Sequence, residues 1–450
     1  MDRRSFLSGT FTLAALSPAG AGEFVAPLLR GSIDANQNGL VAGADGDQGR
    51  TLQRLLNDAA AVDKPLFIPP GRYVIANVVL PARARMVGIA GASRLVFAGD
   101  GHFISAEGAA LIELSGLVLD GDGKALADYV PGLVHIVGSP NVTISACEIV
   151  GSGKSGLALD RCAGRISGCR ISRAADAGIR TIESAGMAIT DNVVEDCDNG
   201  GILIHRWTEG ADGTLVTANR VERIGATNGG TGEFGNGINI FRAHGVTVAN
   251  NRIADCAFTA VRANSANNIS ITGNNCARCG ETGIYSEFSF AGALIANNII
   301  DGAATGIGVS NFQEGGRIAV VSGNIIRDLT GKGPYSNDSS TFGIGIAVEA
   351  DASVTGNVID GAPRAGMMLG WGPYLRDVAA TGNVIRRAPI GIAISVADGA
   401  GSAVVNNNMI SGADQGAIVG MRWGDQASGD LARSGAEAFP NLMIERNAIS

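Results

Sequence analysis

The chain of 450 residues carries 34 Lys and Arg against 42 Asp and Glu, a formal net charge of −8, and is 46% hydrophobic but only 17% charged. That balance is too apolar for a disordered chain and too acidic for binding duplex nucleic acid by counterion release. No uncharged apolar run of about 18 residues follows the N-terminus, so nothing reads as a membrane span. With 66 glycines and only 5% aromatics, repetition of small and β-branched residues is favoured over a core built on Trp and Phe.

Residues 2–8 read DRRSFLS, followed by the apolar run Phe11–Leu16 and the small-residue site Ala19-Gly20-Ala21. Paired arginines, a short apolar segment and an A-x-A site have the layout of a bacterial export signal. The segment resembles the twin-arginine signal, with Arg3-Arg4 and Phe6-Leu7 in that motif's places. The resemblance implies that residues 1–21 are removed, that the twin-arginine export machinery is a partner, and that the mature chain is periplasmic or secreted.

Residues 22–80 form a separate opening unit. Asp47 is placed to cap a helix that carries Leu52, Leu55, Leu56 and Ala59 on one face. A strand over Leu66–Ile68, a Pro-Pro-Gly turn and a second strand around Tyr73–Ile75 follow. Such a helix can close the open apolar end of a stack of coils.

From residue 81 to 450 the chain repeats itself. The segments ITDNVV, VTANRV, VANNRI, ITGNNC, IANNII, VSGNII, VTGNVI, ATGNVI, VNNNMI and IERNAI align on ten asparagines, Asn192, Asn219, Asn251, Asn274, Asn298, Asn324, Asn357, Asn383, Asn408 and Asn447. Cys147 and Cys169 hold the same place in two earlier units, and the spacings run from 22 to 39 residues. A small-apolar-any-apolar strand follows each Asn by eight or nine residues in most units, starting at Gly156, Gly178, Gly201, Gly283, Gly306 and Gly391. Short alternating strands that cannot bury their apolar face alone can do so by stacking, and the result is a parallel β-helix. The shared Asn is expected at the turn between two strands, itself in the left-handed conformation. The fold class is therefore all-β, a right-handed single-stranded parallel β-helix with an N-terminal amphipathic helix as cap. No C-terminal cap is evident after the last Asn.

The helix-then-Pro-Pro-Gly-x-Tyr stretch together with the repeats resembles the pectate-lyase superfamily of right-handed β-helix proteins over nearly the whole mature chain. With the export signal, it resembles a family of twin-arginine-exported β-helix repeat proteins. The superfamily resemblance implies action on an acidic polysaccharide, as lyase or epimerase.

Stacking turns the sequence into columns. In each marked strand the residues two and four positions after the small residue are expected to face solvent. One column reads Arg180, Leu203, Asn239, Arg262, Tyr285 and Gly308; the other reads Ile182, His205, Phe241, Asn264, Glu287 and Ser310. Arg262, Asn264, Tyr285 and Glu287 then share two adjacent coils and form the candidate catalytic set. An arginine to neutralise a uronate, a tyrosine to move a proton and an amide to hold a carboxylate suit β-elimination or C5 epimerisation. Glu287 paired with an aspartate such as Asp255 would instead suit glycoside hydrolysis. His205, Arg206, Trp207, Asn239 and Phe312 are candidate substrate contacts, His205 lying about 14 Å from Tyr285 at 4.8 Å per coil.

Two insertions, Arg220–Asn236 and Ile325–Phe342, leave from the same corner and bracket these coils, as walls of a groove would. Further aromatics, Phe288, Trp371 and Trp423, follow strand ends and are placed to stack on sugars. The mannuronan-epimerase Asp-Pro-His-Asp and the polygalacturonase motifs are absent, and the four lysines lie outside the cluster. A non-catalytic glycan-binding or envelope-scaffold protein, for which the repeats alone suffice, stands as the alternative.

Seven cysteines leave at least one unpaired within the chain. Cys276-Ala277-Arg278-Cys279 has C-x-x-C spacing but no second ligand pair to complete a zinc site, and buried thiols in columns are the simpler reading. A Cys256–Cys279 disulfide after export stays open. No haem, iron–sulfur, dinucleotide or P-loop motif is present, so no cofactor is assigned; calcium held by scattered aspartates stays open.

Overall fold

A computed structural model describes residues 31–230, 232–311, 317–335 and 342–450. The export-signal segment, residues 1–21, and Phe312 lie outside the described residues. From Leu66–Phe67 to Gly416–Arg422 every coil contributes one strand to each of three sheets, and each strand pairs in parallel with the strand three elements before it where there is one. Among the described residues, sheet I has 16 strands, from Ile33–Asp34 to Leu442–Glu445; sheet II has 15, from Gly71–Ile75 to Ala448–Ile449; sheet III has 15, from Val78–Val79 to Asp425–Asp430. The chain runs from sheet I to II to III and back, as in Ile269–Thr272, Asn275–Ala277, Thr282–Glu287 and Ala291–Ala296. Each coil turns aliphatics inward from its three sheets; Val248, Ile253, Val261 and Ile271 are fully buried. Among the described residues, no helix is long and apolar enough to cross a membrane.

The opening helix spans Gly49–Ala61 and buries Leu52, Leu55, Leu56 and Ala59, the face expected from the sequence. Gln48, not Asp47, is the N-cap residue. Asp47 nevertheless accepts hydrogen bonds from Gly49 N–H (2.8 Å) and Ala76 N–H (2.9 Å), tying the helix start to the first coils.

The corner between sheets I and II carries the asparagine ladder. The left-handed residue there is the one before the shared Asn, as at Asn250, Asn297 and Asn407, or glycine at Gly273 and Gly323. The shared Asn is instead buried, and its side chain works as a vertical connector. Asn274 Oδ1 accepts from both the backbone N–H and Nδ2 of Asn251 (3.0 Å each), while Asn274 Nδ2 donates to Asn298 Oδ1 (3.0 Å) and to Val248 O (2.9 Å). The pattern repeats from Asn192 to Asn447. The expectation of a left-handed Asn is thus displaced by one residue. Only a side chain with both an acceptor and a donor can bond the coils on either side, so burial selects Asn, whereas the preceding residue needs only φ > 0.

The seven cysteines are buried free thiols; Cys147 neighbours Cys169 and Cys256 neighbours Cys279, whereas Cys276 stacks between Ile253 and Ile300. The 39-residue interval between Asn408 and Asn447 builds the missing cap. Asp425–Asp430 folds back antiparallel on Gly416–Arg422, and the following segment brings Leu431 and Phe439 onto the last coil. The fold-back gives the end of sheet III an antiparallel partner.

Candidate functional site

The outward face of sheet III carries both predicted columns in the predicted register. Arg180 pairs with Leu203, Leu203 with Asn239, Asn239 with Arg262, Arg262 with Tyr285, and Tyr285 with Gly308. Asn264 lies beside Glu287, and Glu287 beside Ser310. Their environment differs from the expectation, because His205, Asn239, Arg262 and Glu287 are buried rather than solvated. For Asn239, Arg262 and Glu287 the two insertions are the cause. The first packs Gly230 and Gly235 against the Phe258 ring, where a Cβ on Gly230 would meet Phe258 Cζ at 1.9 Å. The second sends Tyr335 over the sheet to Phe258, ring centroids 5.7 Å apart, and stacks it on Phe342 at 6.3 Å.

Beneath this cover Arg262 makes a two-pronged pair with Glu287, Nε to Oε1 at 2.7 Å and Nη2 to Oε2 at 3.0 Å. Its Nη1 reaches Glu281 Oε2 at 3.4 Å, and Asn264 Nδ2 donates to Glu287 Oε1 at 3.0 Å. Glu281 also accepts from Thr259 Oγ1 (2.7 Å) and the Tyr335 hydroxyl (3.2 Å). Burial alone would lower the pKa of the Arg262 guanidinium; its hydrogen bond to Glu287 and the charges of Glu287 and Glu281 reverse that and raise it.

Tyr285 lies over this pair, its ring centroid 5.3 Å from Arg262 Cζ. Gly308 makes room for it, since a Cβ there would sit 2.8 Å from the Tyr285 ring. The hydroxyl reaches Ser310 Oγ at 3.3 Å. Burial first, and then the Glu287 charge, push the phenol up to about 12. Beside it opens a groove of about 220 Å³ lined by Tyr285, Ser310, Glu281, Glu349, Tyr335 and Trp371, among others. Tyr285 therefore reaches the groove, while Arg262, Asn264 and Glu287 support it from behind.

The substrate contacts named from the sequence divide. Asn239 Nδ2 bonds Gly232 O (2.9 Å) and Glu233 O (3.2 Å), so it anchors the first insertion. His205 is buried among Trp207 and Phe241, centroids 6.3 and 5.9 Å away. Burial and then the Arg180 charge hold its pKa down at about 4. Arg206 pairs with Glu183 at 2.9 Å, and Trp207 stays 56% exposed.

The sequence reading missed Glu281, Tyr335 and Glu349. Glu349 continues the Asn264–Glu287–Ser310 column by one coil, but the long second insertion interrupts the spacing that would have found it. Among the described residues, no three His, Cys, Asp or Glu side chains converge to hold a metal.

A family model described as the right handed beta helix region matches residues 132–232 and 207–376, together more than half of the chain. No curated protein matches in sequence. Among solved structures, the pre-mature gene product 12 of bacteriophage phi29 is 16% identical, with a TM-score of 0.50, over 88% of this chain and 58% of that one. The catalytic unit of an α-1,3-glucanase from Streptomyces thermodiastaticus is 14% identical, TM-score 0.48, over 93% and 69%. The A-module of a mannuronan C-5 epimerase from Azotobacter vinelandii is 14% identical, TM-score 0.43, over 93% and 99%. At these identities the likeness is one of fold.

Proposed function

Because the chain belongs to the right-handed β-helix family, whose fold leaves function to its surface sites, we propose that it binds a polysaccharide in the groove beside Tyr285. The observation that carries this reading is the lining. Aromatic walls from Tyr335, Phe342 and Trp371 face hydroxyl and carboxylate groups of Tyr285, Ser310, Glu281 and Glu349. Aromatic surfaces with a few fixed polar groups suit a sugar, which offers C–H faces and hydroxyl edges. Direct contacts come from Tyr285, Ser310 and Trp371, while Arg262, Asn264 and Glu287 hold Tyr285 in place. Among the described residues the charged side chains lining the groove, Glu281 and Glu349, are both carboxylates, which favours neutral or amine-bearing sugars over uronates.

The second reading, lyase or epimerase action on an acidic polysaccharide, draws on the Tyr285 hydroxyl lying in the groove next to Arg262. It asks more of these residues than their surroundings favour. A phenol held at about 12 is protonated at neutral pH and serves as a hydrogen-bond donor rather than a base. The Arg262 guanidinium already spans two carboxylates, which leaves little of its charge for a uronate. The test is to incubate the protein with uronate polymers and neutral glycans, following both binding and the absorbance of unsaturated products. The binding reading expects retention on a glycan, lost in Trp371→Ala, with no unsaturated product. Product formed by the wild type and abolished in Tyr285→Phe would establish elimination instead.

On the strength of Arg3-Arg4 and the A-x-A site, we also place the mature chain outside the cytoplasm. Fractionation of the native host, with and without an Arg3-Arg4→Lys-Lys change, tests this; cytoplasmic retention of the wild type would refute it.

A further inference from the structure

Resting on the glycan reading above, we infer that the polysaccharide runs parallel to the helix axis, along an aromatic rail at the ends of the sheet III strands. The chain has only three tryptophans, and all three sit on this one edge. Trp207 follows Leu203 by four residues, Phe288 follows Tyr285 by three, Trp371 follows Met368 by three, and Trp423 follows Val419 by four. Leu203, Tyr285, Met368 and Val419 belong to a single column, joined through Asn239, Arg262, Gly308, Ala347 and Ala393. Phe288 is thus three coils from Trp207, Trp371 three further, and Trp423 two beyond that. At about 4.8 Å per coil these backbone positions span about 38 Å; the Trp423 ring leans back onto Trp371, so the rings make three stations with steps of about 14 Å.

Two independent features indicate that these rings are placed for contact. Trp207, Phe288 and Trp423 are 56%, 39% and 48% exposed, although water disfavours such surfaces. Phe288 and Trp423 also hold left-handed backbone, φ 61° and 55°. Elsewhere on the Phe288 corner that conformation falls to Arg161, Glu183, Arg242 and Ser265; among the described residues Ile318 is the only other large apolar side chain that adopts it. A bulky residue in strained backbone at an exposed turn is a sign of function.

The rings are also held firmly. Trp207 packs edge-on against Phe241 at 6.3 Å, and Arg242 lies over Phe241 while donating to Trp207 O at 3.2 Å. Trp371 and Trp423 meet at 5.8 Å, and Gly372 lets them close, since a Cβ there would lie 2.5 Å from the Trp423 ring. Fixed rings lose little freedom on binding.

The spacing identifies the occupant. An amphipathic partner helix needs apolar anchors one turn apart, about 5 Å, and a membrane needs a continuous apolar patch. Here Trp371 and Trp423 form one contiguous pair, and the three stations Trp207, Phe288 and Trp371–Trp423 stand about 14 Å apart, which fits an extended sugar polymer that meets an aromatic only at intervals. The rail joins the groove at Trp371, which lines both.

The experiment measures binding, by calorimetry and tryptophan fluorescence, to neutral, amine-bearing and uronate oligosaccharides. Each class is tested shorter than about 15 Å and longer than about 40 Å, to bracket one step and the whole rail. The rail predicts that the longer member of the binding class is held about tenfold tighter or more. Trp207→Ala should erase that gain while leaving the short oligomer unaffected, and Trp371→Ala should weaken both. Because Trp207 is exposed, an unchanged thermal midpoint will show that this variant is folded. Equal affinity for both lengths, or no effect of Trp207→Ala on the long oligomer, would overturn the rail and leave the groove standing. Absence of binding to every class would overturn the groove reading itself.

Discussion

Replacing Asn274 by Ala removes one rung from the middle of the asparagine ladder. The substitution deletes the acceptor used by Asn251 N–H and by Asn251 Nδ2, together with the donor to Val248 O and Asn298 Oδ1. Asn251 and Asn298 are 2% and 0% exposed, so water cannot replace what is lost. A buried group left without its partner costs about 1–3 kcal/mol. The buried Asn251 backbone N–H is stranded and the Asn251 amide keeps only its bond to Val216 O, while Asn298 Oδ1 keeps its bond from the Asn274 backbone. The expected loss is about 3 kcal/mol. The same substitution at Asn447 also deletes bonds, to Asn408 and Val405 O. There Asn447 is itself partly exposed, so water can enter the place of its side chain beside Asn408, and the cost should stay below about 1 kcal/mol. Urea unfolding followed by circular dichroism measures both. Equal losses at the two positions would refute the claim that burial of the ladder, rather than the bonds alone, sets its contribution.

Three further outcomes are expected. His205 has a folded pKa of about 4 against about 6.5 when unfolded; between these values only the unfolded state binds the proton, so stability falls as pH drops through that window and is level above it. The effect is about 3 kcal/mol, and the difference between wild type and His205→Phe isolates it; parallel pH profiles would contradict the burial argument. Arg262→Met leaves Glu287 and Glu281 buried without their cation and should cost about 3–5 kcal/mol, part of which Arg262→Met/Glu287→Gln recovers; urea midpoints measure this, and a loss below about 1 kcal/mol would show that the network is not coupled. All seven cysteines are buried, and burial pushes the Cys197 thiol up to about 12, so a thiol reagent at neutral pH should label the protein only after unfolding; labelling of the native chain would show that the coils open.

The fold was legible because repetition makes register readable. Once the shared asparagines align, every outward column follows, and the pairing from Arg180 to Gly308 is the one counted from the sequence. What columns cannot report is what lies over them. Arg262, Glu287, Asn239 and His205 read as solvated because the alternation of a strand says only which face a side chain leaves from. The burial of Arg262, Glu287 and Asn239 comes with Phe258, Tyr335 and the two insertions, which have no periodicity, and that of His205 with Trp207 and Phe241. Glu281 and Glu349 were missed for the same reason, one standing before its strand and the other beyond an irregular interval. The left-handed residue was misplaced by one because turn chemistry and the ladder both favour Asn, and at Asn250-Asn251 and Asn297-Asn298 the two sit side by side.

A crystal structure grown with a long oligosaccharide of the class that binds tests the central claim most directly. The account predicts sugar density on the outer face of sheet III, against the Trp371 ring and within hydrogen-bond reach of the Tyr285 hydroxyl. Density confined to sheet I, sheet II or an end of the stack would contradict it.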